Sequence, residues 1–415
     1  MKFRIRHTRL SLAALCLFLS AAPLLAQEEA PASGISLSGF VKTDFFYDSR
    51  QTVTAREGHF LLYPADVLSD AQGNDINAKD NFNILSIQSR LTGKITGPDA
   101  FGAKTSGVIE GAFFGTVNSD INGFRLRHAY VKLNWTNTEL LLGQYWHMKF
   151  VTGCFPGTVS FNTGVPFQYF SRNPQVRLTQ SFGNLSLGLM AAAQRDFASP
   201  GGSQVLRNAI LPDVNAQIAY ATDRVLIGAT AGYKTLVPRL VTDSLYRTTT
   251  GIGGFSAQAF LKLAPEAFTF KAQVTYLQNG YDGLSLGGFA IRSVTDPARD
   301  DRDYTNLNTL NVWTELHSNG SKVQVGVFAG YAKNLGASEA LDDPGTIATY
   351  ARGANIASLF RISPRVVLNS GKVRFALELE TTGAAYGRTV DSMGIPGDLH
   401  TVVNQRVLFA SYYFF

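Results

Sequence analysis

Apolar residues recur at every second position through most of this chain. From Val323, the residues Val323, Val325, Val327, Ala329 and Tyr331 alternate with Gln324, Gly326, Phe328 and Gly330. From Val373, the residues Val373, Phe375, Leu377 and Leu379 alternate with Arg374, Ala376, Glu378 and Glu380. Period two is the mark of a strand with one apolar face and one polar or small face. Applied from end to end, the pattern predicts sixteen strands, near 35–47, 82–95, 102–115, 124–135, 139–148, 174–182, 185–195, 211–221, 224–235, 252–263, 267–279, 304–317, 321–332, 352–368, 372–384 and 399–415. Their connections alternate strictly between seven short turns and eight long loops, the latter near 48–81, 116–123, 149–173, 196–210, 236–251, 280–303, 333–351 and 385–398. A sandwich has no reason to sort its loops by length, whereas an up-and-down barrel in an outer membrane does so.

Composition supports the same reading. After residue 26 no run of 18 apolar residues occurs, so helical spans are excluded. Charged residues are 16%, below the quarter typical of soluble proteins, and aromatics reach 12%. The expected fold is all-β: a transmembrane antiparallel up-and-down barrel of about sixteen strands.

Residues 1–26 read as a signal peptide. Lys2, Arg4, Arg6 and Arg9 precede an apolar stretch from Leu10 to Leu25, and Ala26 stands before Gln27-Glu28-Glu29. Leu15 precedes Cys16, where a lipid-anchor site would want a small residue. Without this segment the 37 basic residues fall to 33 against 31 acidic ones, and the net charge drops from +6 to +2. A nucleic-acid partner thereby loses its compositional support. Residues 27–415 form one expected domain with a single cysteine, Cys154, so no internal disulfide can staple it.

Two features bear on the strand count. Pro364 falls inside the fourteenth segment, where a closed barrel has no free edge, so a bulge or a strand end is expected there and counts of fourteen or eighteen stay open. The chain ends Tyr412-Tyr413-Phe414-Phe415, and a terminal Phe on an alternating strand resembles the assembly signal of bacterial outer-membrane barrels.

Charge on the lipid face is costly, so charged mid-strand residues are expected to face the lumen. The candidate channel-lining residues are Lys42, Asp44, Arg90, Lys104, Glu110, Arg125, Arg127, His128, Arg172 and Arg177. Arg125 and Arg127 are out of phase with His128–Lys132, which calls for either a bulge between them or a place at the outer rim. Basic residues outnumber acidic ones on the first six strands, a pattern that favours anions. The long loop 149–173 carries Phe155, Phe161, Phe167, Tyr169 and Phe170 and no Asp or Glu. A loop this aromatic is expected to pack inward and narrow the barrel, or else to serve a trimer contact.

No His-x-x-x-His pair is present. His128 and His147 are the one pair placed to approach each other. Asp66, Asp70, Asp75 and Asp80 lack the spacing of a calcium loop. No cofactor and no metal are expected. The expected function is passive diffusion of small hydrophilic solutes across the bacterial outer membrane. The alternatives are a barrel hydrolase and a structural or adhesive barrel.

Four segments carry a resemblance to a known family. They are Gly39-Phe40-Val41-Lys42-Thr43-Asp44, Phe124 to Val131 (FRLRHAYV), Leu142-Gly143-Gln144-Tyr145-Trp146 and Ser171-Arg172-Asn173-Pro174-Gln175-Val176-Arg177. They resemble the DcaP-type porins and related outer-membrane porins. The resemblance implies a sixteen-stranded trimeric barrel in contact with outer-membrane lipid and lipopolysaccharide, taking up small, often anionic solutes such as dicarboxylates. DcaP-type chains can carry an N-terminal helical extension, for which Gln27–Gly34 leaves no room.

Overall fold

In the computed structural model, residues 33–115 and 117–415 are described. The expected signal peptide lies outside them. Sixteen antiparallel strands make one closed wall. β1 is Gly34–Asp48, β2 is Asn81–Leu85 continued by Arg90–Thr96, β3 is Lys104–Ala112 and β4 is Arg125–Asn134. β5 is Thr138–Trp146, β6 is Arg172–Phe182, β7 is Leu185–Ala192 and β8 is Asp213–Ala221. β9 is Val225–Leu236, β10 is Ile252–Leu263, β11 is Phe268–Gln278 and β12 is Asp301–Ser318. β13 is Val323–Ala337, β14 is Ile356–Ser370, β15 is Val373–Val390 and β16 is Pro396–Phe414. Each falls on one of the sixteen predicted segments.

Closure joins the two ends of the sheet. β1 pairs with β2 on one side (Gly34 opposite Thr96) and with β16 on the other (Phe40 opposite Phe414). Gly39 and Phe415 exchange backbone hydrogen bonds at 3.2 and 3.3 Å. A Cβ on Gly39 would stand 2.1 Å from the Arg90 carbonyl oxygen, so only glycine fits this seam.

Alternation becomes two surfaces. Leu187, Leu189, Ile218, Val325, Ile362, Leu377 and Val407 point outward and are exposed, while Gln217, Thr230, Gln258, Glu315 and Glu378 point inward. An apolar band around a closed barrel with a polar interior is stable where hydrocarbon covers it, because backbone donors and acceptors pair from strand to strand along the wall. No helix of the described residues is long and apolar enough to cross a membrane.

The wall is lopsided. β12 to β16 run 15 to 19 residues, whereas β3 to β8 run 8 to 11. The last loop, expected over 385–398, accordingly shrinks to 391–395, since β15 runs on to Val390 and β16 begins at Pro396. Pro364 is neither at a strand end nor at a bulge. It points outward opposite Val327 of β13, and the ladder to β15 keeps its register but lacks the rungs of Ser363 and Pro364. One missing N–H is tolerated because the rungs on either side hold. Ile87, which strict alternation with Leu91 and Ile95 along the predicted segment 82–95 would place on the apolar outer face, is buried inside, because a turn at Ser86–Ser89 interrupts β2.

Candidate channel constriction

The inner wall near β2, β3, β4 and β6 gathers the charges. Its geometry starts from a bulge. Glu110 of β3 pairs with His128 of β4, but the next residue, Gly111, pairs with Leu126. Arg127 is therefore the extra residue of β4, and Arg127 and His128 both face inward although they are neighbours in sequence. Of the two expected explanations for the phase break, the bulge is the one present.

Arg127 donates from Nε to Glu110 Oε1 at 2.7 Å. Arg90 of β2 lies 3.6 Å from the same carboxylate, and His128 lies 3.9 Å from it. A second carboxylate, Asp196, comes from the loop after β7. Arg125 donates to its Oδ1 at 2.6 Å and Arg172 to its Oδ2 at 3.0 Å, while Arg56 stands 3.7 Å away. Five guanidiniums thus face two carboxylates. Burial pushes Arg56 down to about 9, and Arg125 and Arg172 beside it add to the effect. Burial alone would raise the Asp196 carboxyl, but Arg172, Arg125 and Arg56 overcome it and hold it well below the usual carboxylate range. A planar fork of donors matched to carboxylates is what arginine provides and lysine does not.

Other candidates lie apart from this cluster. Lys42 and Asp44 of β1 pair with each other at 2.8 Å, and Lys42 also donates to Gln88 and to the Val159 carbonyl at 3.0 Å, so the two form a neutral pair. Arg177 sits lower on β6, bonded to Gln175 and the Trp146 carbonyl, 5.5 Å from the centre of the Tyr145 ring. Lys104 is a correction: it is largely exposed at a short turn, paired with Asp99 at 2.7 Å, because β3 begins there rather than higher up.

The segment between β5 and β6 makes contacts all round the wall. Val159 N–H donates to Glu378 of β15, Asn162 donates to Glu380 at 2.6 Å and Gly157 N–H donates to Glu315 of β12 at 3.0 Å. Cys154 Sγ lies 3.3 Å from the Leu261 carbonyl of β10, and Lys149 donates to Ser256. Its aromatic residues stack on one another and on the wall: Trp146 and Phe150 are parallel at 3.8 Å. The first loop enters as well. Its hairpin, Thr52–Ala55 with Phe60–Pro64, buries Phe60, Leu61, Leu62 and Tyr63. Phe60 meets Phe161 at 4.8 Å and Phe170 at 5.2 Å. Arg361 of β14 holds both loops, donating to the Val165 carbonyl at 2.7 Å and the Leu61 carbonyl at 2.8 Å.

Arg56, Asp196 and Arg361 were not expected from sequence. The apolar run Phe60-Leu61-Leu62-Tyr63 inside a long loop is the signal that could have located the first of them. Nothing local marks the other two.

His147 and His128 are held by hydrogen bonds or ring packing. His147 accepts the Lys149 N–H at Nδ1 and faces Asp213 at 3.2 Å with Nε2, so neither nitrogen is turned to a hydroxyl. His128 packs on Tyr145 and Trp146, and His147 on Tyr169, so the two occupy separate neighbourhoods. Among the described residues, no group of three or more His, Cys, Asp or Glu could hold a metal ion. In the first loop, Asp75 pairs with Arg50, Asp66 with His400 and Asp80 with Lys79.

The closed sixteen-strand wall, with its inward loops, is shared with solved outer-membrane channels. The outer-membrane channel DcaP of Acinetobacter baumannii superposes with a TM-score of 0.67 over 92% of this chain and 97% of that one, at 17% identity. OmpT of Vibrio cholerae superposes at 0.56 over 95% and 100%, at 10% identity. The anion-selective porin from Comamonas acidovorans superposes at 0.55 over 92% and 100%, at 12% identity. This chain has the porin fold. No protein family's profile and no curated protein matches it. Within the porin fold, the arginine cluster lies on the wall of β2 to β6, and the loop after β5 lies against the remaining strands.

Proposed function

We propose that this chain is an outer-membrane diffusion channel for small hydrophilic solutes, with a preference for anions of the dicarboxylate type. The observation that carries the reading is the excess of guanidiniums: Arg56, Arg90, Arg125, Arg127 and Arg172 face only Glu110 and Asp196. A positive cluster beside a confined passage concentrates anions and excludes cations. Lys132 and Glu139, part-exposed and paired at 2.8 Å, continue the polar wall below the cluster. The residues 1–26 direct export in this reading, the loop 149–173 narrows the passage, and outer-membrane lipid and lipopolysaccharide surround the barrel.

The reading includes a homotrimer and no catalysis. The anion-selective porin and the trimer form of Vibrio OmpT share the fold, which supports both anion passage and assembly. The test is the reversal potential of refolded protein in a planar bilayer under a potassium chloride gradient. A potential toward the chloride equilibrium value is expected. A cation-selective conductance would reject the anion preference, and a barrel without conductance would reject the channel. Migration of unheated protein as a monomer alone would reject the trimer.

A further inference from the structure

We infer that Asp196 is a tethered occupant of the anion site, a built-in carboxylate with which a passing carboxylate solute must compete. The inference rests on the channel reading above and adds a specificity-determining residue to it. Asp196 belongs to no barrel strand. It stands on the loop between β7 and β8, and its side chain is only 5% exposed. The loop reaches the cluster because the Asn173 side chain accepts the backbone N–H groups of Arg195 at 2.6 Å and Asp196 at 3.1 Å. Phe197, the next residue, lies under the Arg56 guanidinium at 5.1 Å and against Phe60.

The carboxylate does not saturate its hosts. Arg172 Nη1 and Nη2, Arg125 Nη2, Arg127 Nη1 and Arg56 Nη1 are buried with no protein acceptor. Buried donors without partners are costly, so the cluster gains by binding further oxygens. An incoming carboxylate competes with Asp196 for the guanidiniums that Asp196 holds. Gly201 and Gly202, both at positive φ, separate the Asp196 segment from the short helix Gln204–Asn208, which stays anchored to the wall by the Val205 carbonyl accepting the Val237 N–H and by the buried Val205 and Leu206.

The test uses full-length refolded protein, succinate as the probe and sodium chloride of equal ionic strength as the control. Asp196→Asn keeps the shape and removes the competing charge. The half-blocking concentration of succinate in single-channel records is expected to fall roughly tenfold, the value of one charge-assisted hydrogen bond exchanged. An unchanged half-blocking concentration in a variant that keeps wild-type heat-modifiable migration would overturn the inference. Wild-type protein supplies a second readout that needs no variant. Saturating succinate is expected to raise amide hydrogen exchange over residues 193–203, and unchanged protection there overturns the displacement. If wild-type protein is not blocked by succinate and conducts cations, the anion reading itself fails. If it conducts anions while Asp196→Asn behaves as wild type, only the tethered occupant fails.

Discussion

Arg127 and Glu110 meet across a β-bulge, the Arg127 Nε donating to the Glu110 Oε1 at 2.7 Å. The bulge turns an extra guanidinium onto the inner wall, and Glu110 partly cancels it and Arg90. Removing either member should therefore move ion selectivity in opposite directions. A unit charge about 6 Å from a passing ion in a water-like dielectric is worth about 0.7 kcal/mol, or roughly threefold in permeability. Arg127→Gln should lower the chloride-to-potassium permeability ratio by that amount, and Glu110→Gln should raise it. Two shifts of the same sign in bilayer measurements would contradict the assignment.

Arg361 binds two loops to the wall at once. It is fully buried, donates to Val165, Leu61 and Thr382, and faces Glu380 at 3.6 Å. Arg361→Ala leaves a buried carboxylate without its cation, a loss of about 3–5 kcal/mol. The expected result is new proteolytic cleavage within 49–80 and 147–171 in the intact barrel. Arg361→Lys keeps the charge but not the fork and should be intermediate. Protection equal to wild type in the alanine variant would show that the loops are held by other contacts.

Cys154 should be chemically silent in the folded protein. Its side chain is fully buried, and burial pushes the thiol up to about 11, away from the ordinary range near 8.5. Maleimide labelling at pH 8 is expected to be slow in folded barrels and fast after heating in detergent. Rapid labelling without heating would mean that the loop leaves the wall.

Acid should loosen the first loop through His59. Burial, with Lys42 and Arg406 nearby, holds its pKa well below 6.5, so the folded protein takes up no proton where the unfolded chain does. The stability from the neutral ring is present above pH 6.5 and is lost as pH falls below it, by up to about 1.4 kcal/mol per unit. Urea unfolding at pH 6 and pH 5 should show a steeper loss for wild type than for His59→Gln. Equal slopes would assign the acid sensitivity to other groups.

Much of this was legible in advance because it is local. Leu187 and Leu189 alternate with Ser186 and Gly188 whatever the rest of the chain does, and that local pattern sets which way each strand faces. Even the bulge left a trace, since Arg125 and Arg127 fall out of phase with His128 and Tyr130. The misreading of Ile87 has the opposite origin. A four-residue turn breaks β2, and a turn of Ser and Gln within an otherwise alternating run carries little signal. Lys104 was misjudged because the pattern tells which face a residue takes and not how high on the wall it stands.

The amino-acid sequence by itself determined that the chain folds as two-faced strands and closes on itself, since period two is a property of neighbouring residues and a sheet with one apolar face must close or bury its edges; the closed wall decided that the strands number sixteen. Only the tertiary structure decided which charges meet. Arg56, Arg125, Arg172 and Asp196 converge from two loops and two strands, and Arg361 reaches a carbonyl 300 residues away. Such meetings depend on loops folding back into the lumen, where buried guanidiniums and carboxylates are stable only in each other's company.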